Sequence, residues 1–227
     1  MCSISVLEFF IESINIDEFK GKRVLEVGSK YVNGSVRPLI EKFCEPKEYV
    51  GIDLEQGKFV DIVLSAERLV EYFGEESFDV VISTEVLEHV KDWRQVINNI
   101  KRVTKHDGWI YITTRSFGFP YHAYPHDYWR YELNDLRKIF SDFIIIDLKN
   151  DPIAPGVFMK AKKPKKWNPK NLSQISLYSV ILGKRTTEIV DISKALIYRR
   201  IYFKYKDKIK LIIPPILTKV LGKILVI

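Results

Sequence analysis

Between residues 23 and 114 the chain alternates short apolar runs with stretches of helical spacing, and this alternation narrows the fold more than any other feature. The runs are "RVLEVG" (23–28), "EYVGID" (48–53), "FVDIVL" (59–64), "FDVVIS" (78–83) and "GWIYITT" (108–114). Strands covered on both faces need no polar alternation, so these runs predict the buried strands of a largely parallel sheet. Helices are expected between them. "SVRPLIEKF" follows Gly34, and "DWRQVINNIKRVT" puts Val96, Ile97, Ile100 and Val103 on one face, with Asp92 placed as its cap. "ELNDLRKIF" repeats the spacing with Leu133, Leu136, Ile139 and Phe140. Two further runs, "FIIIDLK" (143–149) and "GVFMKAKK" (156–163), are separated only by "NDPIAP". A parallel crossover takes a dozen or more residues, so these two must pair as an antiparallel hairpin. The expectation is an α/β, doubly wound sheet of seven strands, mostly parallel, closed by a C-terminal antiparallel hairpin.

In such a sheet ligands sit beyond the carboxyl ends of the strands, near the switch in strand order. The first strand ends at Gly28, where the backbone can turn and approach a ligand closely. Asn33-Gly34 tolerates left-handed geometry, and Ser35 can cap the helix that follows. The spacing "GSKYVNG" departs from the G-x-G-x-x-G of a dinucleotide loop. A longer loop suits a pyrophosphate poorly and a less charged nucleoside better. The second strand ends at Asp53, whose carboxylate can accept hydrogen bonds from both ribose hydroxyls. Ser65, Ala66 and Glu67 follow the third strand, where an adenine pocket would lie. Glu85, Glu88 and His89 follow the fourth, and two readings stay open for them: cofactor-facing groups, or solvated residues on a short helix.

With "VLEVGS…NGS", "YVGIDL", "FDVVISTEVLEHV" and "YPHDYWRY" in this order, residues 20–162 resemble the class I S-adenosylmethionine-dependent methyltransferases of the small methyltransferase-domain group. The resemblance implies a Rossmann-like seven-stranded sheet with a reversed last strand and S-adenosyl-L-methionine as cofactor. It also implies that Glu26 and Gly28 shape the methionine end of the pocket. By the same resemblance Asp53 holds the ribose, Ser65–Glu67 lie near the adenine, and Glu85 lies on the cofactor-facing loop. Ser29, Gly34 and Leu54 are counted with the cofactor-binding set. Two other classes stay open: a nucleotide-dependent oxidoreductase on the same sheet, and a non-catalytic cofactor-binding subunit.

"FGFPYHAYPHDYWRYE" (117–132) follows the fifth strand and is expected over the cofactor's methyl group. A sulfonium methyl is already activated, so the protein has to align an acceptor, exclude water and, for a hydroxyl, remove a proton. His126, or His122 backed by Asp127, is the expected base. His122, His126 and Asp127 are also ligand-like residue types, but the prolines among them break helical spacing, and no metal is expected. Tyr128, Trp129, Tyr131 and Arg130 have a structural alternative, packing the loop onto the next helix with Arg130 paired to a carboxylate. The acceptor is expected to be a small molecule or a glycan, methylated on oxygen or nitrogen; RNA is the alternative.

Charge divides the chain. Residues 1–159 hold 19 Lys and Arg against 26 Asp and Glu, whereas 160–227 hold 17 against 3. The expected organisation is a catalytic domain over 1–163 and a basic, amphipathic extension over 164–227, with "KKPKKWNPK" as exposed linker. In "IPPILTKVLGKILVI" the pairs Ile216-Leu217, Val220-Leu221 and Ile224-Leu225 form one helical stripe, with Lys219 and Lys223 opposite. Three partners fit this tail: the acidic body itself or a second copy, an anionic membrane surface, or RNA. The two cysteines, Cys2 and Cys44, lack metal spacing, and neither a secretory leader nor an apolar run of ~20 residues is seen. A cytoplasmic protein, with peripheral membrane contact left open, is expected.

Overall fold

The structure is a computed structural model that describes residues 3–123, 125–195, 197, 200, 201 and 203–205. The main sheet contains β1 (Arg23–Val27), β2 (Glu48–Asp53), β3 (Ile62–Val63), β4 (Phe78–Thr84) and β5 (Thr104–Arg115). A two-residue strand, β6 (Trp129–Arg130), stands outside it. The closing pair is β7 (Ile144–Asn150) and β8 (Gly156–Lys162). The order is β3-β2-β1-β4-β5-β8-β7. Neighbours from β3 to β5 are parallel, and β8 is antiparallel to both β5 and β7. This is the expected doubly wound sheet with its terminal hairpin. The third strand is shorter than expected, two residues of the six read from "FVDIVL".

Pleating divides the core in two. Val24, Val80 and Ile82 point to one face, where α1 (Ile4–Ser13), α2 (Ile16–Phe19) and α3 (Arg37–Cys44) supply Phe9, Phe10, Phe19 and Ile40. Leu25, Val27 and Val81 point to the other face. There they meet Val96, Ile97, Ile100 and Val103 of α5 (Trp93–Val103). Two short helices, α4 (Leu69–Phe73) and α6 (Leu133–Ile139), flank α5 in sequence. Asp92 caps α5 as its position predicts, with Oδ1 accepting from Gln95 N at 3.1 Å.

Most of the expected linker after Lys163 is exposed, but the chain beyond it returns to the body. β9 (Leu177–Ser179) and β10 (Lys184–Thr186) form a second, antiparallel sheet with β6, in the order β10-β9-β6. Leu172, Leu177, Val180, Ile181 and Val190 are buried in the same cluster as α5. Arg94 of α5 donates to the carbonyls of Leu172, Ile175 and Thr187, and Arg185 pairs with Asp135. A boundary at 163/164 therefore runs through one packed unit. The sequence hid this because the segment is basic and its strands have three residues each. Even in "KKPKK", Lys163 is buried, its ammonium donating to the carbonyls of Lys101 and Thr104. The amphipathic stripe expected over 216–225 lies outside the described residues. Among the described residues no helix is long and apolar enough to cross a membrane.

Candidate active site

The carboxyl ends of β1, β2 and β4 border a cleft of ≈ 680 Å³, at the switch between β1 and β4. Of the residues expected at the cofactor, Gly28, Asp53, Leu54, Ser65, Ala66, Glu67 and Glu85 all line it. His126 lines the same cleft from the loop after β5. Lys30 and Lys91 line it too, where sequence reasoning did not place them, as do Tyr128 of the 117–132 loop and His89, for which a cofactor-facing reading was open. For His89 a signal existed, since it closes the "EVLEH" run beyond β4.

Each wall has a local cause. Gly28 has φ +79°, and a Cβ built there would lie 2.1 Å from Val86 Cγ2. Gly28→Ala is therefore expected to cost about 1–3 kcal/mol in backbone strain. It should also drive Val86, another cleft residue, into the open space. Thermal melting reads the first effect and cofactor titration the second. The double variant with Val86→Ala should recover binding but not the lost stability.

Asp53 is held at the lip: Oδ2 accepts from Lys30 N at 3.2 Å and Oδ1 from Glu55 N at 3.3 Å. Its carboxylate is fixed by backbone amides alone, so it keeps accepting capacity for a ligand. The 65–67 segment is fixed from behind. Asn99 of α5 donates to the carbonyls of Ala66 (3.1 Å) and Glu67 (2.7 Å), and Gln95 to Glu67 (3.2 Å).

Three expected cofactor residues are not on the wall. Glu26 turns to the opposite face of the sheet, where the Tyr49 hydroxyl donates to it at 2.9 Å. Burial pushes its carboxyl up to about 7, against the hydrogen bond from Tyr49 and the charge of Arg37. Strand alternation explains the miss: Val27 and Leu25 face the cleft side, so Glu26 between them cannot. Ser29 is buried beneath the loop beside Gly51. Gly34 lies further along the loop and, unlike Gly28, does not take positive φ.

Glu85 and Glu88 are not solvated. Glu85 takes φ +56°, and its side chain pairs with Arg115, which also reaches Asp151 at 3.2 Å. Burial and the charge of Glu88 push the Glu85 carboxyl up, with Arg115 opposing. Glu88 is fully buried, accepting from Thr114 Oγ1 at 2.8 Å.

The loop after β5 divides its work. Trp129 and Tyr131 are core residues; Trp129 Nε1 donates to Val90 O and Tyr131 Oη to Leu87 O. Asp127 receives Arg130 in bidentate fashion, at 2.5 and 2.9 Å. Burial alone would raise its carboxyl, but the hydrogen bonds from Arg130 and His122 and the charge of Arg130 outweigh that and hold it well below the usual range. Asp127 is thus an anchor and not a base. It orients His122, whose Nδ1 lies 3.0 Å from its Oδ2. His126 is exposed at the cleft, its Nδ1 3.1 Å from the Tyr128 hydroxyl.

Comparison with known proteins agrees with this geometry. Residues 25–112, from β1 through most of β5, match the family described as methyltransferase domain. An S-adenosylmethionine-dependent methyltransferase from Mesorhizobium loti is 13% identical and covers 71% of this chain and 99% of its own, with a TM-score of 0.55. The 1,6-didemethyltoxoflavin-N1-methyltransferase of Burkholderia thailandensis, solved with its substrate and S-adenosylhomocysteine, is 14% identical over 64% and 72% of the two chains (TM-score 0.50). Phosphoethanolamine N-methyltransferase 2 of Haemonchus contortus, solved with S-adenosyl-L-methionine, is 18% identical over 70% and 52% (TM-score 0.51). No curated protein matches. Residues 25–112 thus match the methyltransferase-domain family, and the Rossmann-like sheet described above is the fold that these S-adenosylmethionine-dependent methyltransferases share.

Proposed function

We propose that the chain transfers the methyl group of S-adenosylmethionine to an oxygen or nitrogen of a small-molecule or glycan acceptor. The observation that carries this reading is the single cleft shared by Gly28, Asp53 and Ser65–Glu67 at one end and by His89, Lys91, His126 and Tyr128 at the other. Asp53 would hold the ribose and Ser65–Glu67 the adenine, which directs the sulfonium toward Glu85 and the histidines. Hydrogen-bonding side chains at that end suit a hydroxyl or amine acceptor.

The reaction is an in-line displacement, so alignment and water exclusion carry most of the burden. With Nδ1–H donating to the Tyr128 oxygen, His126 leaves its Nε2 lone pair for the acceptor proton. Asp127 serves as a positioning residue for His122.

Asp53→Ala should weaken S-adenosylhomocysteine binding by about 1.5–3 kcal/mol, roughly 10- to 150-fold, the range for hydrogen bonds to a charged group. Calorimetric titration measures it. An unchanged Kd would remove Asp53 from the ribose site. Methyl transfer from labelled cofactor to panels of hydroxyl- and amine-bearing sugars and small molecules then tests the acceptor class.

A further inference from the structure

Beside the cleft, three groups converge whose arrangement the steps above leave unexplained. His89 Nδ1 lies 2.6 Å from the His126 carbonyl oxygen. His122 Nδ1 lies 3.0 Å from Asp127 Oδ2 and 3.3 Å from the Pro120 carbonyl oxygen. Carbonyl and carboxylate oxygens only accept, so both rings carry their proton on Nδ1. Each neutral ring then presents a bare lone pair at Nε2, and these two nitrogens are 3.1 Å apart. Two lone pairs facing each other at that distance repel unless a cation stands between them. The third group supplies negative charge: Glu88 is fully buried, its Oε1 has no hydrogen-bond partner among the described residues, and it lies 3.9 Å from His89 Nε2.

We propose that Glu88, His89 and His122 bind a divalent transition-metal ion of the zinc type at the edge of the methyl-transfer cleft. One ligand atom from each of the three lies within 4.8 Å of the others. Two nitrogens bound tetrahedrally at about 2.0–2.1 Å would stand ~3.3 Å apart, close to the separation seen here. Two imidazoles and a carboxylate are a zinc-type donor set that leaves a fourth position open. The contacts at Nδ1 are the outer partners such a site requires, a backbone carbonyl for one ring and a carboxylate for the other. Glu88 is itself steadied by Thr114 at its other oxygen. The residues differ from the set His122, His126 and Asp127 weighed from sequence, because both oxygens of Asp127 are engaged by Arg130 and His122.

His89 is also a cleft residue, so the open position faces the acceptor side. Resting on the methyl-transfer reading of the cleft, the site selects hydroxyl-bearing acceptors. A hydroxyl oxygen on the metal has its pKa lowered and gives its proton to His126. The oxygen then forms the C–O bond as the C–S bond breaks, and the electron pair goes to sulfur.

The test begins with full-length protein stripped by chelator and dialysed against Zn²⁺. Elemental analysis should find one ion per chain, and Co²⁺ in its place should give the intense visible bands of tetrahedral coordination. Glu88→Gln and His122→Ala should each weaken metal affinity at least about tenfold, while S-adenosylhomocysteine affinity stays at the parental value. No retained metal in the parent, as expected if a shared proton separates the two rings, overturns the proposal. So does equal metal affinity in the variants. Should the metal bind as expected while S-adenosylhomocysteine does not, the metal site stands and the cofactor reading of the cleft falls.

Discussion

A chain ending at Lys163 is expected to lose cooperative folding, although all seven strands of the main sheet precede that point. The cut removes Leu172, Leu177, Val180, Ile181 and Val190, each no more than 2% exposed. At about 1.5–3 kcal/mol per buried side chain, these five are worth about 7.5–15 kcal/mol before the entropy of ordering the segment is set against them. That gross figure is comparable to the whole stability of a typical domain, about 5–15 kcal/mol. The cut also strands polar groups. Arg94 loses three carbonyl acceptors, Asp135 loses Arg185, and the Tyr128 carbonyl loses the amide of Val180. Tyr128 lines the cleft, so damage would reach the active site. Far-UV circular dichroism on heating should show a transition lowered by more than about 10 °C, or none. A chain ending at Tyr205 keeps these contacts and is the control. If the shorter chain melts within a few degrees of this control, residues 164–195 are an appendage after all.

His126→Ala is the second large effect. Turnover should fall by about 10²- to 10⁴-fold, the usual contribution of a positioned base, with S-adenosylhomocysteine affinity changed less than about threefold. The separation is expected because His126 reaches the cleft from the acceptor loop. The proposed ribose and adenine ends are built from β2 and the segment after β3. Its backbone carbonyl, which meets His89, survives the substitution. Comparable turnover in the two proteins, measured with a true acceptor, would take His126 out of the chemistry.

The main sheet was legible because its signals are local. The first two apolar runs end in Gly or Asp, α5 repeats its spacing over three turns, and the five residues between β7 and β8 permit only a hairpin. The cleft wall was legible for the same reason, since strand ends in a parallel sheet share one edge. Two things were not legible. The second sheet pairs Trp129 and Arg130 with Ser179 and Tyr178, some fifty positions away, through strands too short to leave a period. The pairing of His89 with His122 joins residues 33 positions apart, one from the turn after β4 and one from the loop after β5. For Glu88 the sequence left a solvated and a cofactor-facing reading open; only the fold reveals it as buried, with Thr114 donating to it. Glu26 shows the opposite failure: a residue in the right motif whose strand phase turns it away from the cleft.

The central claim is that the cleft at the β1–β4 switch holds S-adenosylmethionine. Calorimetric titration of the purified full chain with S-adenosylhomocysteine, run beside NAD at matched concentrations, tests it most directly. One S-adenosylhomocysteine per chain, weakened by Asp53→Ala, with no binding of NAD, is the predicted result. Binding of NAD without S-adenosylhomocysteine would contradict the account.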